Sequence, residues 1–323
     1  MFSEILVPLD GGRVAEEALD VATAIARRHG GRVHLVGVSR PVVLMGGIPL
    51  SPEIPVTASA ELDRIAQEQL ESYLGDRATR VERSGQPVRS AVLAGVDSVG
   101  DQLLHYAARH DIDLIVMHTH ARGAVRRFWL GSVASALVQK SGVPCLLLRG
   151  PGPATARPIL PVSPQRILIP LDGSREAELA VDFALAMAVP EHTEMELLSV
   201  VTPLPFPGSL LEGPTLDDRR AAAARYLARV GARITEADFL VHSQVVVHQS
   251  PPTAIIEQLE ERGADLLAMA AHFRSETNRI FLGSVMDRLL RKTRIPMLVW
   301  RSKELAGTAL LPVRDDTEAL AVT

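Results

Sequence analysis

Short apolar runs alternate along this chain with longer stretches in which apolar residues recur every three or four positions. Ile5-Leu6-Val7, Val33 to Val38, Val88 to Val92, Asp113 to Met117 and Cys145 to Leu148 read as strands. The fourth and fifth are continuous in Leu, Ile, Val and Met, the mark of a strand covered on both faces. Val14 to Arg28 carries Ala15, Ala18, Leu19, Ala22 and Ile25 at helical spacing. Ala60 to Leu74, with Leu62, Ile65, Ala66, Gln69 and Leu70 around an amphipathic surface, Val99 to Arg109 and Ser132 to Lys140 are the other helices. Strands of this kind alternating with helices predict an α/β domain, a five-stranded parallel sheet with helices on both faces. Right-handed crossovers make it doubly wound. Such sheets bind ligands beyond the carboxyl ends of their strands, at the point where the strand order reverses. The turns after the first and fourth strands are therefore where a site is expected.

The pattern then runs a second time. Ile5 to Ala26 aligns without gaps with Ile167 to Ala188, and 14 of the 22 positions are identical. Phe128 to Arg149 aligns with Ile280 to Arg301. The second copy is about ten residues shorter, and the Pro/Gly-rich stretch Pro41 to Ser59, against Pro203 to Thr215, is the expected place for the loss. The chain thus divides into a first domain at 1–149, a Pro/Gly-rich linker at 150–164, a second domain at 165–302 and a tail at 303–323. Proline and glycine at the density seen from Gly150 to Pro164 cannot sustain a regular hydrogen-bond ladder.

Composition narrows the partners. Of 323 residues, 47% are hydrophobic and 22% charged, with a net charge of −4. No overall basic field draws the chain to nucleic acid or anionic lipid. With only 4% aromatics, a stacking surface for single strands is not expected either. No apolar run is long enough to span a bilayer, which argues against a membrane partner. Met1 leads directly into Ile5-Leu6-Val7-Pro8 with no signal-like region, so a cytoplasmic location is the default. Cys145, the single cysteine, falls within the apolar fifth strand and is read as an inert core thiol.

Chemistry is concentrated in the two turns. After the first strand stand Asp10-Gly11-Gly12 and, in the second copy, Asp172-Gly173-Ser174. Each Asp suits two roles, helix capping or accepting bonds from a ribose hydroxyl or adenine amine, and both stay open. After the fourth strand come His118, Thr119, His120, Ala121, Arg122 and Gly123, and then Phe128 to Val133. Gly131 lets a ligand approach the backbone, and Ser132 is expected to cap the following helix, whose positive end can hold an anion. Gly283 and Ser284 repeat the pair. His118 and His120 lack cysteine or carboxylate neighbours in sequence, so no metal site is expected. His120 and the matching His272 are instead expected in loop hydrogen bonds or along the pocket, and Arg122, Arg126 and Arg127 form a short basic cluster beside it. The Gly-Lys-Ser/Thr ending of a P-loop is absent. No nucleophile stands with a positioned base, so a binding module rather than an enzyme is expected.

Over both repeats the chain resembles the universal stress protein family, as a tandem of two domains. The resemblance is carried by the opening strand with Pro8 and Asp10, the Asp113-Leu-Ile-Val-Met117 strand before the His-Thr-His loop, and Phe128-Trp-Leu-Gly-Ser-Val133 with Pro144 and the last strand. It implies an adenine nucleotide alpha hydrolase-like fold. ATP-binding members carry Gly-x-x-Gly-x9-Gly-Ser/Thr over the triphosphate, an Asp after the first strand and a backbone contact to adenine after the second. In the first copy this places Asp10, Val38, His118, Thr119, Ala121, Arg122, Gly131, Ser132 and Val133 at the nucleotide site, with His118 and Ala121 where the family has glycine. In the second copy Asp172, Val200, Gly283 and Ser284 match, but Ala270 and Phe273 replace the glycines, so this site reads as degenerate. The resemblance thus implies a stress-response regulatory protein that binds adenine nucleotide, ATP with magnesium, in its first half, with at most slow ATP hydrolysis. The alternative is a nucleotide-independent interaction scaffold of the same fold. It also implies that Leu146-Leu147-Leu148 and Met297-Leu298-Val299 pair, making the tandem an intramolecular pseudo-dimer, with further homodimerisation left open.

Overall fold

The structure is a computed structural model and describes residues 1–12, 15–40, 56–95, 97–119, 130–149, 163–203, 214–271 and 283–301, without the side chains of 56–60. The first half contains β1 (Glu4–Pro8), α1 (Ala15–His29), β2 (Arg32–Ser39), α2 (Val56–Arg83), β3 (Val88–Ala94), α3 (Val99–Arg109), β4 (Leu114–His118), α4 (Ser132–Lys140) and β5 (Cys145–Leu148). The second repeats them as β6 (Arg166–Pro170), α5 (Arg175–Met187), β7 (Glu194–Val201), α6 (Leu216–Thr235), β8 (Leu240–Val247), α7 (Pro251–Arg262), β9 (Leu266–Ala270), α8 (Ser284–Lys292) and β10 (Met297–Trp300). Within each half all strand pairs are parallel and the order is doubly wound, β3-β2-β1-β4-β5 and β8-β7-β6-β9-β10.

The two five-stranded units do not end as separate sheets. β5 and β10 pair antiparallel, Met297 opposite Leu147, Leu298 opposite Leu146 and Val299 opposite Cys145, and one ten-stranded sheet results. The reason is an edge problem: a last strand exposes a row of unpaired backbone groups, and two like edges related by a pseudo-two-fold satisfy each other. The pairing through the fifth strands is the pseudo-dimer junction that the sequence led us to expect. Arg149 and Arg301 cross it, donating to the Leu290 and Gln139 carbonyls of the opposite half. On one side Arg28 and His29 also reach the Ala186 carbonyl, each at 3.0 Å.

Alternation along the strands builds two cores. Ile5, Val7, Leu35, Val116 and Leu146 lie on the face covered by α1 and α2, and continue into Ile167, Ile169 and Leu197 under α5 and α6. Leu6, Val36, Ile115, Met117 and Leu147 lie on the other face, against α3 and α4, and continue into Leu168, Leu198 and Met269 under α7 and α8. Each core is shared by both halves.

Two details depart from the sequence reading. α2 runs for 28 residues rather than from Ala60 to Leu74, against 20 in α6, so much of the length difference between the copies is about two turns of helix. Leu62 and Ile65 are 51% and 38% exposed, and among the described side chains of α2 those packed on the sheet run from Leu70 through Tyr73, Leu74 and Val81. Residues 150–162 of the proposed linker at 150–164, and the whole proposed tail at 303–323, lie outside the described residues.

Candidate functional site

β1 and β4 are adjacent, and the chain leaves them toward helices on opposite faces of the sheet. This divergence opens a crevice at their carboxyl ends. A cavity of about 400 Å³ lies there, and Asp10, Val38, His118, Gly131, Ser132 and Val133 all line it. Six positions from four segments, spread over more than a hundred residues of chain, are thus brought together.

The Asp10 turn is shaped locally. Its Oδ1 accepts the Gly12 amide at 2.9 Å, and Gly11 between them has φ +78°, a conformation that favours glycine. In the second half Asp172 Oδ1 accepts both the amide of Ser174, at 3.0 Å, and its hydroxyl, at 2.6 Å, across Gly173 at φ +90°. Ser174 in turn caps α5 by accepting the Ala177 amide. The second carboxylate is therefore engaged by a hydroxyl that Gly12 cannot supply.

Ser132 does not cap α4, contrary to the sequence reading. Gly131 is the N-cap, with extended backbone (φ −59°, ψ 156°), and its carbonyl accepts the Ser135 amide at 2.8 Å; Ser132 is already helical. Gly283 and Ser284 stand likewise at the start of α8. The contrast with the neighbouring helices is chemical. Ser98, Ser174 and Thr215 cap α3, α5 and α6 with side-chain oxygens, whereas α4 and α8 begin at glycines that bring none. First-turn amides have no intrahelical acceptor, so a bare helix start that lines a cavity offers them to an anion.

His118 ends β4 with a side chain only 1% exposed, its Nε2 3.3 Å from Glu17 Oε2 on α1. Its second-half counterpart, Ala270, is buried at the end of β9. Thr119 turns toward β5, where its amide and hydroxyl both donate to the Leu148 carbonyl, and it does not line the cavity. Val200 is partly buried against the second core. Ala121 and Arg122 lie outside the described residues, as do His120, Arg126, Arg127, His272 and Phe273.

The cavity walls also include Val36, Val99, Leu103 and Met117, which the sequence reading placed only within a strand or a helix. Val36 precedes Val38 by two on one strand face, and Val99 and Leu103 are one helical turn apart, so periodicity held a signal for both pairs. Nothing in the sequence marked Glu17, because its approach to His118 depends on α1 packing beside β4.

Among the described residues one group gathers three metal-type donors, Glu194, Glu196 and His242, within 4.8 Å of one another. It sits near the start of β7, away from the cavity. Arg166 pairs with Glu194 and lies 3.6 Å from Glu196, and Arg262 lies 4.0 Å from Glu196. Two fixed guanidinium charges oppose a divalent cation there, and we assign no metal centre to it. No helix of the described residues is long and apolar enough to cross a membrane.

Comparison with known proteins agrees with this architecture. A universal stress protein of Mycolicibacterium smegmatis is 25% identical over 309 residues, covering 93% of this chain and 97% of its own. One of Thermus aquaticus is 32% identical over 149 residues, 46% of this chain and all of its own. The crystal structure of a universal stress protein from Archaeoglobus fulgidus superposes with a TM-score of 0.65 at 18% identity, over 93% of this chain and 99% of that one, which speaks for the fold. The model of the universal stress protein family matches residues 1–149 and again 164–301, and the chain belongs to that family, with two copies of its domain in tandem.

Proposed function

We propose that this protein is a regulatory module of the stress response that binds adenine nucleotide, ATP with magnesium, in its first half. The observation that carries the reading is the convergence of Asp10, Val38, Gly131, Ser132 and Val133 on one cavity at the β1/β4 switch point. The residues present suit such a ligand. Val36, Val38, Val99 and Leu103 supply an apolar wall for a base, Asp10 a carboxylate acceptor for a sugar hydroxyl, and the bare start of α4 a set of amides for phosphate. ATP would bring a polyanion whose binding energy biases the conformation or partner surface of the module; no hydrolytic role is assigned to any residue.

In this reading the second half is degenerate and acts as a structural partner. Asp172 is engaged by Ser174, and Ala270 and Phe273 stand in place of the family's glycines. The same substitutions, with His118 and Ala121 in the first half, favour the competing reading of a nucleotide-independent scaffold. Calorimetric titration of the full chain with ATP and magnesium decides between them. One site per chain is expected, weakened about tenfold or more by Asp10→Ala, abolished by the branched side chain of Gly131→Val, and little changed by Asp172→Ala. Two equivalent sites, or equal loss from Asp172→Ala, would overturn the asymmetry. No heat, and no nucleotide released on denaturing the purified protein, would favour the scaffold.

A further inference from the structure

Near the start of β2, the first half buries an imidazole in a hydrogen-bonded chain. His34, the third residue of β2, is 1% exposed. Its Nε2 lies 2.5 Å from Glu4 Oε2 on β1, and its Nδ1 lies 2.9 Å from the Tyr106 hydroxyl on α3. A carboxylate only accepts, so Nε2 carries the hydrogen and, in the neutral ring, Nδ1 accepts from the tyrosine. Both ring nitrogens are then satisfied without a buried charge.

The surroundings discourage a second proton. Arg32 on β2 lies 3.5 Å from the other oxygen of Glu4. Arg89 on β3, the register partner of His34, directs a guanidinium N–H at His110 Nδ1 at 3.2 Å. The ring of His110, the C-cap of α3, packs 5.7 Å from His34 and 4.2 Å from Tyr106. Around His34, the one carboxylate is thus set against two guanidiniums and a second imidazole. Burial holds the His34 pKa below the ordinary histidine value, outweighing the pull of Glu4. A proton on Nδ1 would also turn that atom from acceptor to donor. Tyr106 would have to reverse its hydroxyl and find another acceptor for its own hydrogen.

The position of this tie matters more than its chemistry alone. His34, Val36 and Val38 alternate along one face of β2, and Val99, Leu103 and Tyr106 follow one face of α3. Val36, Val38, Val99 and Leu103 are the apolar wall of the cavity. The hydrogen-bonded tie therefore closes one end of the same β2–α3 seam whose other end holds the site. In the second half the matching place on β7 is taken by Glu196, opposite Leu168 as His34 is opposite Leu6. Glu196 faces Arg166 and Arg262, and α7 contains no tyrosine.

We propose that His34 is a proton-sensitive positioning residue: its protonation breaks the tie to Tyr106, loosens the β2–α3 seam and lowers the affinity of the first-half site, while the second half stays unaffected. The effect on affinity rests on the nucleotide reading above; the effect on the seam does not.

Methyl and histidine NMR of the full chain, titrated from about pH 7.5 to about pH 5, reads the seam without any ligand. The methyls of Val36, Val38 and Leu103 are expected to shift with the midpoint of the His34 ring, while those of Leu198 and Val200 stay still. In His34→Gln, which keeps a donor and an acceptor but does not titrate, the first-half shifts disappear. Tyr106→Phe, which deletes the donor to Nδ1, moves the His34 midpoint upward. Over the same range the ATP dissociation constant rises about fivefold or more in the parent and stays flat in His34→Gln. A His34 ring that remains neutral to about pH 5, cavity methyls that ignore its titration, or shifts that persist in His34→Gln would overturn the proposal. Absence of ATP binding at every pH would remove the nucleotide reading, and the methyl titration would still decide the tie.

Discussion

A carboxylate two residues beyond a buried strand can organise its own turn, serve a ligand, or do both, and the two Asp turns of this chain divide on that point. Asp10 and Asp172 each accept the amide two residues on, and each spans a glycine of positive φ. They differ at the next side chain, hydrogen in Gly12 and a hydroxyl in Ser174 that donates to Asp172. This difference was legible in the sequence as Gly-Gly against Gly-Ser, but its consequence required the 2.6 Å contact. Cys145 belongs to the same scale. Complete burial pushes its thiol up to about 12, so native protein is expected to react negligibly with a thiol reagent at neutral pH and stoichiometrically in denaturant. Rapid labelling of native protein would contradict this. For His29 and His34 burial lowers the pKa in the fold, so below the ordinary value of ~6.5 the unfolded chain binds more protons. Their contribution to stability is intact above that pH and declines as pH falls through it. Denaturant melts of parent and His34→Gln at about pH 7.5 and about pH 5.5 should therefore converge on acidification; divergence would reverse the sign.

Helix starts show how elements divide the work. Thr215 and Asp218 form a reciprocal capping box that satisfies first-turn donors of α6, and Thr215→Ala is expected to cost about 1 kcal/mol in urea denaturation. α4 and α8 have no such side chain, and the start of α4 lines the cavity. The sequence reading put the cap at Ser132, because serine is the better capping residue; backbone geometry placed it one residue earlier. Helix α3, helix α4 and β5 were legible to the residue, since each is bounded by residues whose preference is local. The length of α2 was not, because most of what was missed is its last two turns, Gly75 to Arg83, where polar and charged residues surround the single buried side chain of Val81.

At the scale of the molecule, the β5–β10 junction makes two repeats one body. Because both cores run across it, heating is expected to give a single cooperative transition rather than two. Two resolved endotherms in calorimetry would argue that the halves melt independently. Leu147 is fully buried and pairs opposite Met297, so Leu147→Lys places an uncompensated charge at the junction. A loss of about 3 kcal/mol or more and a larger radius of gyration in scattering are expected, while unchanged melting and compactness would show that the junction is not what joins the halves.

The amino-acid order alone determined the strand-and-helix succession, the duplication, the apolar edge strands and the two turns in which polar chemistry is concentrated. These follow from local periodicity and from residues such as Asp, Gly and Pro whose backbone preferences need no distant partner. Tertiary structure decided the rest: the antiparallel register in which β5 meets β10, the meeting of Glu17 with His118, the engagement of Asp172, and the His34 chain across β1, β2 and α3. Each of these depends on which elements lie side by side. That is set by burying both faces of a sheet at once, a condition no single stretch of sequence contains.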